Sequence, residues 1–253
     1  MNALERLIAS SQGVRDGRMP VIIECEQILV EKVGQTHGVN GGLAGPLSFA
    51  ANLRGPQQIL YDLVEDPALV HELVRLGVEA GKAFGAAQIQ HGGVKTVNIY
   101  EPLAALISPS MSEEFSFSYL AELVAHLKSH GATVLLHICN DATRLLERMI
   151  STGADILSVD CQVDMARAKE IVGGRVSLLG NVATQSLAWG TADAVYADTC
   201  CCIERAALGG RCPASSSCEF PIETPAENID AMVRAVREFG ATFLRVRKNT
   251  TSR

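Results

Sequence analysis

Short apolar runs alternate with amphipathic helical stretches along nearly all of this 253-residue chain, and that alternation leaves little choice of fold. A strand, a helix and a second strand in succession place the strands side by side and parallel, joined by right-handed crossovers. Strand signals fall at His37–Pro46, which runs into a Gly/Pro turn, and at Lys95–Tyr100, Ala132–Leu136, Asp155–Asp160 and Arg175–Gly180. A weaker sixth lies near 211–217. Helical spacing covers 20–33, closed by Gly34, and 47–54, broken by Gly55-Pro56. Asp66-Pro67 then opens a helix reaching about Gln90, with Asp as cap and Pro in the first turn. Ser110 or Ser112 is expected to cap the next, which runs to Ser129. Further helices are expected over 142–152 and 164–172, and from Thr191 to about Leu208. Thr224-Pro225-Ala226-Glu227 has the form of a capping box, with its helix ending near Phe239. The expected class is α/β, a (β/α)8 TIM-barrel-like fold. With five or six strands legible, the barrel is expected to be incomplete or N-terminally shortened.

Composition narrows the function classes. A chain that is 47% hydrophobic and 20% charged suits one domain over 1–253, with a leader helix at 1–19 and a frayed tail at 248–253. A net charge of −6, with only 5% aromatic residues, argues against a nucleic-acid or anionic-membrane surface. No apolar run approaches the roughly 20 residues of a membrane span. The first residues, Met1-Asn-Ala-Leu-Glu-Arg-Leu7, lack an export pattern. Eight cysteines without such a signal are expected to be reduced, buried or metal-bound, in a cytoplasmic protein.

The chemistry concentrates at His137-Ile138-Cys139, where the buried run Ala132–Leu136 gives way to Asn140-Asp141. Residues two apart on a strand share a face. Imidazole and thiolate would therefore project together at a strand's carboxyl end, where parallel α/β folds place their sites. This ligand set suits zinc, and one further thiolate would leave an open coordination position. Cys218, in a Ser-rich loop, and Cys212 are the two downstream choices. Cys200-Cys201-Cys202 fan out over about 200° on a helix and cannot converge on one ion. Glu101, Asp160 and Asn181 also end strands and are candidates for orienting substrate or metal.

Longer stretches resemble a known family. Gly45-Pro46 through Gly55, Leu60–Leu73, Glu101-Pro102-Leu103, Ile107-Ser108-Pro109, Leu179-Gly180-Asn181-Val182 and Glu223–Asn228 are similar to the uroporphyrinogen decarboxylase superfamily. The added His-x-Cys and late Cys resemble its zinc-dependent methylcobamide:thiol methyltransferase branch, typified by coenzyme M enzymes. The resemblance implies His137, Cys139 and Cys218 as zinc ligands, with Asp160 in place for a fourth. It implies methyl transfer from a methylated corrinoid on a separate carrier protein to a small thiol such as coenzyme M. Two thiolates and a neutral imidazole leave the zinc site uncharged, so a bound substrate thiolate makes it anionic and stays electron-rich. The family's longer N-terminal segment has no counterpart here, which leads us to expect a homodimer covering the exposed sheet edge. Two alternatives are a non-catalytic relative with structural zinc and a uroporphyrinogen decarboxylase-type tetrapyrrole enzyme.

Overall fold

The computed structural model describes residues 17–243, so the expected tail at 248–253, and all but the last residues of the expected leader helix, lie outside the described residues. Five short parallel strands form one sheet: β1 (Asn40–Ala44), β2 (Thr96–Tyr100), β3 (Thr133–Ile138), β4 (Ile156–Val159) and β5 (Ser177–Leu179). Their order in the sheet is their order in the chain. The expected α/β class and all five principal strands are present. The weak sixth is also there in reduced form: residues 211–215 supply carbonyls to Leu178, Gly180 and Val182, and Val182 bridges Ser216 in parallel.

The chain divides into two compact units, one formed by residues through Ile138 plus Arg148–Asp155, the other by Cys139–Glu147 plus residues from Ile156 onward. In the first, α1 (Met19–Val33) ends at Gly34 as expected. Helices α2 (Pro46–Arg54), α3 (Pro56–Glu65) and α4 (Pro67–Ala87) follow β1. Leu47, Ala50, Ile59, Leu63, Val70 and Val74 from these three helices close around Leu103 and Phe115 in one apolar cluster. Asp66 caps α4 by accepting the Leu69 N–H. After β2 come α5 (Pro109–Ser112) and α6 (Ser118–Ser129). β3 is buried from Val134 to Ile138, which its uninterrupted apolar run requires.

In the second unit, α7 (Leu146–Ser151) straddles the division of the chain. α8 (Met165–Val172) is capped by Asp164 and α10 (Ala192–Ala206) by Thr191, each through the backbone N–H three residues on. The short α9 (Thr184–Trp189) and the last helix, α11 (Ala226–Ala235), pack with α10 around Val182, Leu187, Val195 and Ala231.

Two local expectations change. Ser108, rather than Ser110 or Ser112, caps the helix after β2, accepting from the Met111 N–H, because Pro109 fits the first turn. The expected break at Gly55-Pro56 is present: α2 ends at Arg54 and a separate helix, α3, starts at Pro56. The capping box at Thr224 does not form: the helix begins at Ala226, the Thr224 N–H goes to the Pro221 carbonyl, and its hydroxyl is buried without a partner.

Candidate metal centre

β3 delivers two of the three candidate ligands. His137 is its penultimate residue and is buried; Cys139 is the first residue beyond it. The strand register sets Tyr100 of β2 opposite His137, with ring centroids 6.1 Å apart and planes at 68°, an edge-to-face contact between the two rings. The Glu101 N–H donates to the His137 carbonyl at 2.9 Å, fixing the backbone there.

Cys218 comes from the loop after the sixth near-strand. The Ser217 N–H donates to the Val182 carbonyl at 2.7 Å, which anchors the loop one residue before the cysteine. The Cys139 and Cys218 sulfurs are 3.9 Å apart. One ligand atom from each of His137, Cys139 and Cys218 lies within 4.8 Å of the others. Thiolates at about 2.3 Å from a tetrahedral zinc stand about 3.8 Å apart, so the sulfur spacing is already that of a zinc site. Burial, and then the neighbouring Cys218 sulfur, push the Cys139 thiol up to about 12. A divalent ion bound here would offset the burial that holds the Cys139 thiol protonated. The donor set therefore fits zinc.

Cys212 falls outside this group, and burial raises its thiol to about 11. The three cysteines on α10 also stay outside, as the helical fan requires.

The acidic and amide candidates have structural partners. The Asp160 carboxylate accepts the Asn140 N–H at 3.1 Å and the Gln162 N–H at 3.3 Å. Asn140, directly after Cys139, has φ of 64°, the left-handed region that asparagine tolerates better than most residues. Asp160 thus pins the turn through which the chain leaves Cys139. Asn181 donates both amide hydrogens, to the Asp160 and Val163 carbonyls at 2.8 Å each, and accepts from the Cys202 thiol at 3.6 Å. It braces the turn that carries Asp160.

Glu101 is fully buried and caps α2, accepting from the Leu47 N–H at 3.0 Å, the Ser48 N–H at 2.8 Å and the Ser48 hydroxyl. A Cβ at Gly45 would come within 2.5 Å of its carboxylate, so only glycine lets this approach happen. Burial pushes Glu101 up to about 7 against the pull of these hydrogen bonds. Reading by sequence missed Tyr100 and Asn140. Tyr100 was legible by parity: it lies one residue before Glu101, on the other side of an alternating strand.

The profile described as uroporphyrinogen decarboxylase (URO-D) matches residues 1–239. The chain belongs to the uroporphyrinogen decarboxylase family. Similar family members include "Methylcobamide:CoM methyltransferase MtaA" of Methanosarcina barkeri, 29% identical over 228 residues, 88% of this chain and 65% of the relative. "Methylcobamide:CoM methyltransferase MtbA" of Methanosarcina acetivorans is 26% identical, over 94% of this chain and 69% of its own. "Uroporphyrinogen decarboxylase" of Nostoc punctiforme is 29% identical over 66% of this chain and 49% of its own. A solved "methyltransferase from Methanosarcina mazei" superposes with a TM-score of 0.82 at 28% identity, over 89% of this chain and 66% of that one. The chain thus spans about two thirds of the length of the methyltransferases it matches. Among the described residues no helix is long and apolar enough to cross a membrane.

Proposed function

We propose that this family member is a zinc-dependent methyltransferase that moves a methyl group from a methylated corrinoid to a small thiol such as coenzyme M. The observation that carries the reading is the 3.9 Å spacing of the Cys139 and Cys218 sulfurs beside the His137 imidazole. The methyltransferase relatives supply the substrate classes, and they are matched over more of this chain than the decarboxylase relative is. That difference makes tetrapyrrole decarboxylation the weaker reading.

His137, Cys139 and Cys218 would hold the ion. Zinc at this centre supplies a lowered pKa to an incoming thiol while leaving its sulfur electron-rich. In the overall exchange a carbon–sulfur bond forms and the cobalt–carbon bond breaks. Cobalt keeps both bonding electrons, and the thiol's proton goes to solvent. Asp160 and Asn181 act as positioning residues: Asp160 holds the Asn140 turn that aims Cys139, and Asn181 holds Asp160's own turn. Glu101 anchors α2 against the tip of β2. The corrinoid comes on a separate carrier protein, and we place the protein in the cytoplasm as a homodimer. Exposed Val21, Ile22, Ile28 and Leu29 on α1 support self-association, which sedimentation would check.

Metal analysis and a methylcobalamin assay test the reading together. We expect about one zinc per chain and thiol-dependent loss of the methyl–cobalt spectrum with coenzyme M. Asp160→Ala should weaken zinc retention about tenfold while leaving the fold intact. Zinc-loaded protein that leaves methylcobalamin unchanged with every thiol would overturn the activity.

A further inference from the structure

We propose that His126 and His130, at the end of α6, form a second metal site, which takes a divalent first-row transition ion such as nickel(II) on two imidazoles and solvent. The site is separate from the candidate centre at His137, and the inference does not depend on the methyl-transfer reading.

His126 lies in the last turn of α6 and His130 is its C-cap, four residues on. Residues at that spacing sit one above the other on a single helix face, which is how one helix presents two imidazoles to one ion. The ring centroids are 4.6 Å apart, with planes at 46°. A ring nitrogen bound at about 2.1 Å sets its centroid about 3.2 Å from the ion, so two imidazoles at about 90–110° around it stand about 4.5–5.3 Å apart. The pair already has that separation, and both residues keep partial exposure.

Hydrogen bonding leaves the lone pair a metal needs. The His126 carbonyl accepts from the Ser129 hydroxyl at 2.7 Å and from the His130 Nδ1 at 3.0 Å. A carbonyl only accepts, so the neutral His130 ring carries its hydrogen on Nδ1 and its lone pair on Nε2. An N–H held by a backbone carbonyl is the arrangement that orients imidazole ligands on metals. Burial, and then the adjacent His130 and Lys82, hold His126 below the ordinary histidine value, so at pH 7 it is neutral as well.

The surrounding charges do not oppose a cation. Lys82 is paired with Glu79 at 2.9 Å and with Glu122 at 2.6 Å, and Arg75 shares Glu122 at 2.6 Å. Lys128 is paired with Asp155 at 2.7 Å. The C-terminal end of α6 adds partial negative charge. Imidazole donors suit nickel, copper and zinc rather than calcium or magnesium, which want oxygen. Two neutral donors hold an ion far more loosely than the two thiolates of the candidate centre, so dialysis removes it. β3 is about 17 Å long, with His130 ahead of its first residue and His137 near its end, so the two sites share no ligand. A bound ion would clip the last turn of α6, from which the chain turns through Gly131, at φ 84°, into β3.

The test uses the full chain, loaded with zinc and dialysed, with nickel(II) as the probe. Calorimetric titration should show about one further ion per chain. His126→Gln or His130→Gln should weaken its binding at least about tenfold, and His91→Gln should leave it unchanged. A second readout needs no variant: nickel should protect His126 and His130 of the wild-type chain from diethylpyrocarbonate, as located by peptide mass spectrometry. Nickel binding that is absent, or that survives both His126→Gln and His130→Gln, would overturn the proposal. So would nickel that leaves both histidines as reactive as before. Nickel taken up by the cysteines instead would show a thiolate-to-nickel absorption band, which imidazole binding lacks, so a thiolate centre that fails to keep its zinc is told apart from failure of the second site.

Discussion

At the tip of β2, Glu101 spends its carboxylate on two backbone amides and a hydroxyl from α2. At the tip of β3, the Cys139 sulfur faces the Cys218 sulfur at 3.9 Å, a spacing too long for a disulfide, whose sulfurs sit at about 2.0 Å. Both residues follow the last residue of a buried parallel strand, and both have burial-raised pKa values. The difference lies in the partners. A buried acid with every oxygen accepting is a structural anchor; two thiols facing each other gain little until a cation joins them. Position at a strand's carboxyl end names the candidates in an α/β fold, and hydrogen-bond accounting sorts them.

Exchange of a ligand cysteine should break this contrast most severely. Cys139→Ser or Cys218→Ser should empty the zinc site and lower methyl transfer at least about a hundredfold, because thiolates carry most of the affinity of such a centre. Cys212→Ser should retain the metal. Metal analysis of the three purified variants decides the matter; loss of zinc from Cys212→Ser with retention in Cys218→Ser would reassign the third ligand. At the other strand tip, Glu101→Ala should leave zinc in place but unfold more easily. It strands buried donors at the start of α2, a loss of about 3 kcal/mol readable as a lower urea midpoint. An unchanged midpoint with lost activity would make Glu101 a chemical residue rather than an anchor.

Much of this was legible before any coordinates. Four of the five strands, β2 to β5, follow from short apolar runs bounded by glycine or polar residues. The ligand trio followed from strand parity together with a family resemblance, since spacing alone could not choose between Cys212 and Cys218. What escaped was set by contacts local patterns do not encode. The break at Gly55-Pro56 is where the sequence reading put it, but the helix beyond it was not read: Gly55 at φ 96° turns the chain and Pro56 starts α3 at once. Thr224 has a capping-box pattern, but the helix starts one residue late because its N–H is held by Pro221. Glu101, Asp160 and Asn181 were recognisable as strand-tip residues. Their commitment to backbone groups depends on where α2, the Asn140 turn and the Val163 turn come to lie.

A third buried group sharpens the comparison with the smallest effect. Glu26 of α1 has one carboxylate oxygen buried without a partner, against Gly92, where a Cβ would come within 2.3 Å of it. Burial pushes it up to about 7 from an ordinary 4.5, the same value as Glu101 but without that residue's donors. Between pH 4.5 and 7 the folded chain therefore holds more protons than the unfolded one, so stability is greatest below this window and falls as pH rises through it. Glu26→Gln stays neutral throughout. It should raise stability at pH 8 by roughly 1–3 kcal/mol, with the gain shrinking toward zero near pH 4. Glu101 keeps its own share of the slope, so the variant flattens the pH profile without levelling it. Urea unfolding of wild type and variant at both pH values reads the difference directly, and any metal contribution common to the two proteins cancels. An equal difference at both pH values would mean that Glu26 is paired in solution, and that its burial costs nothing through charge.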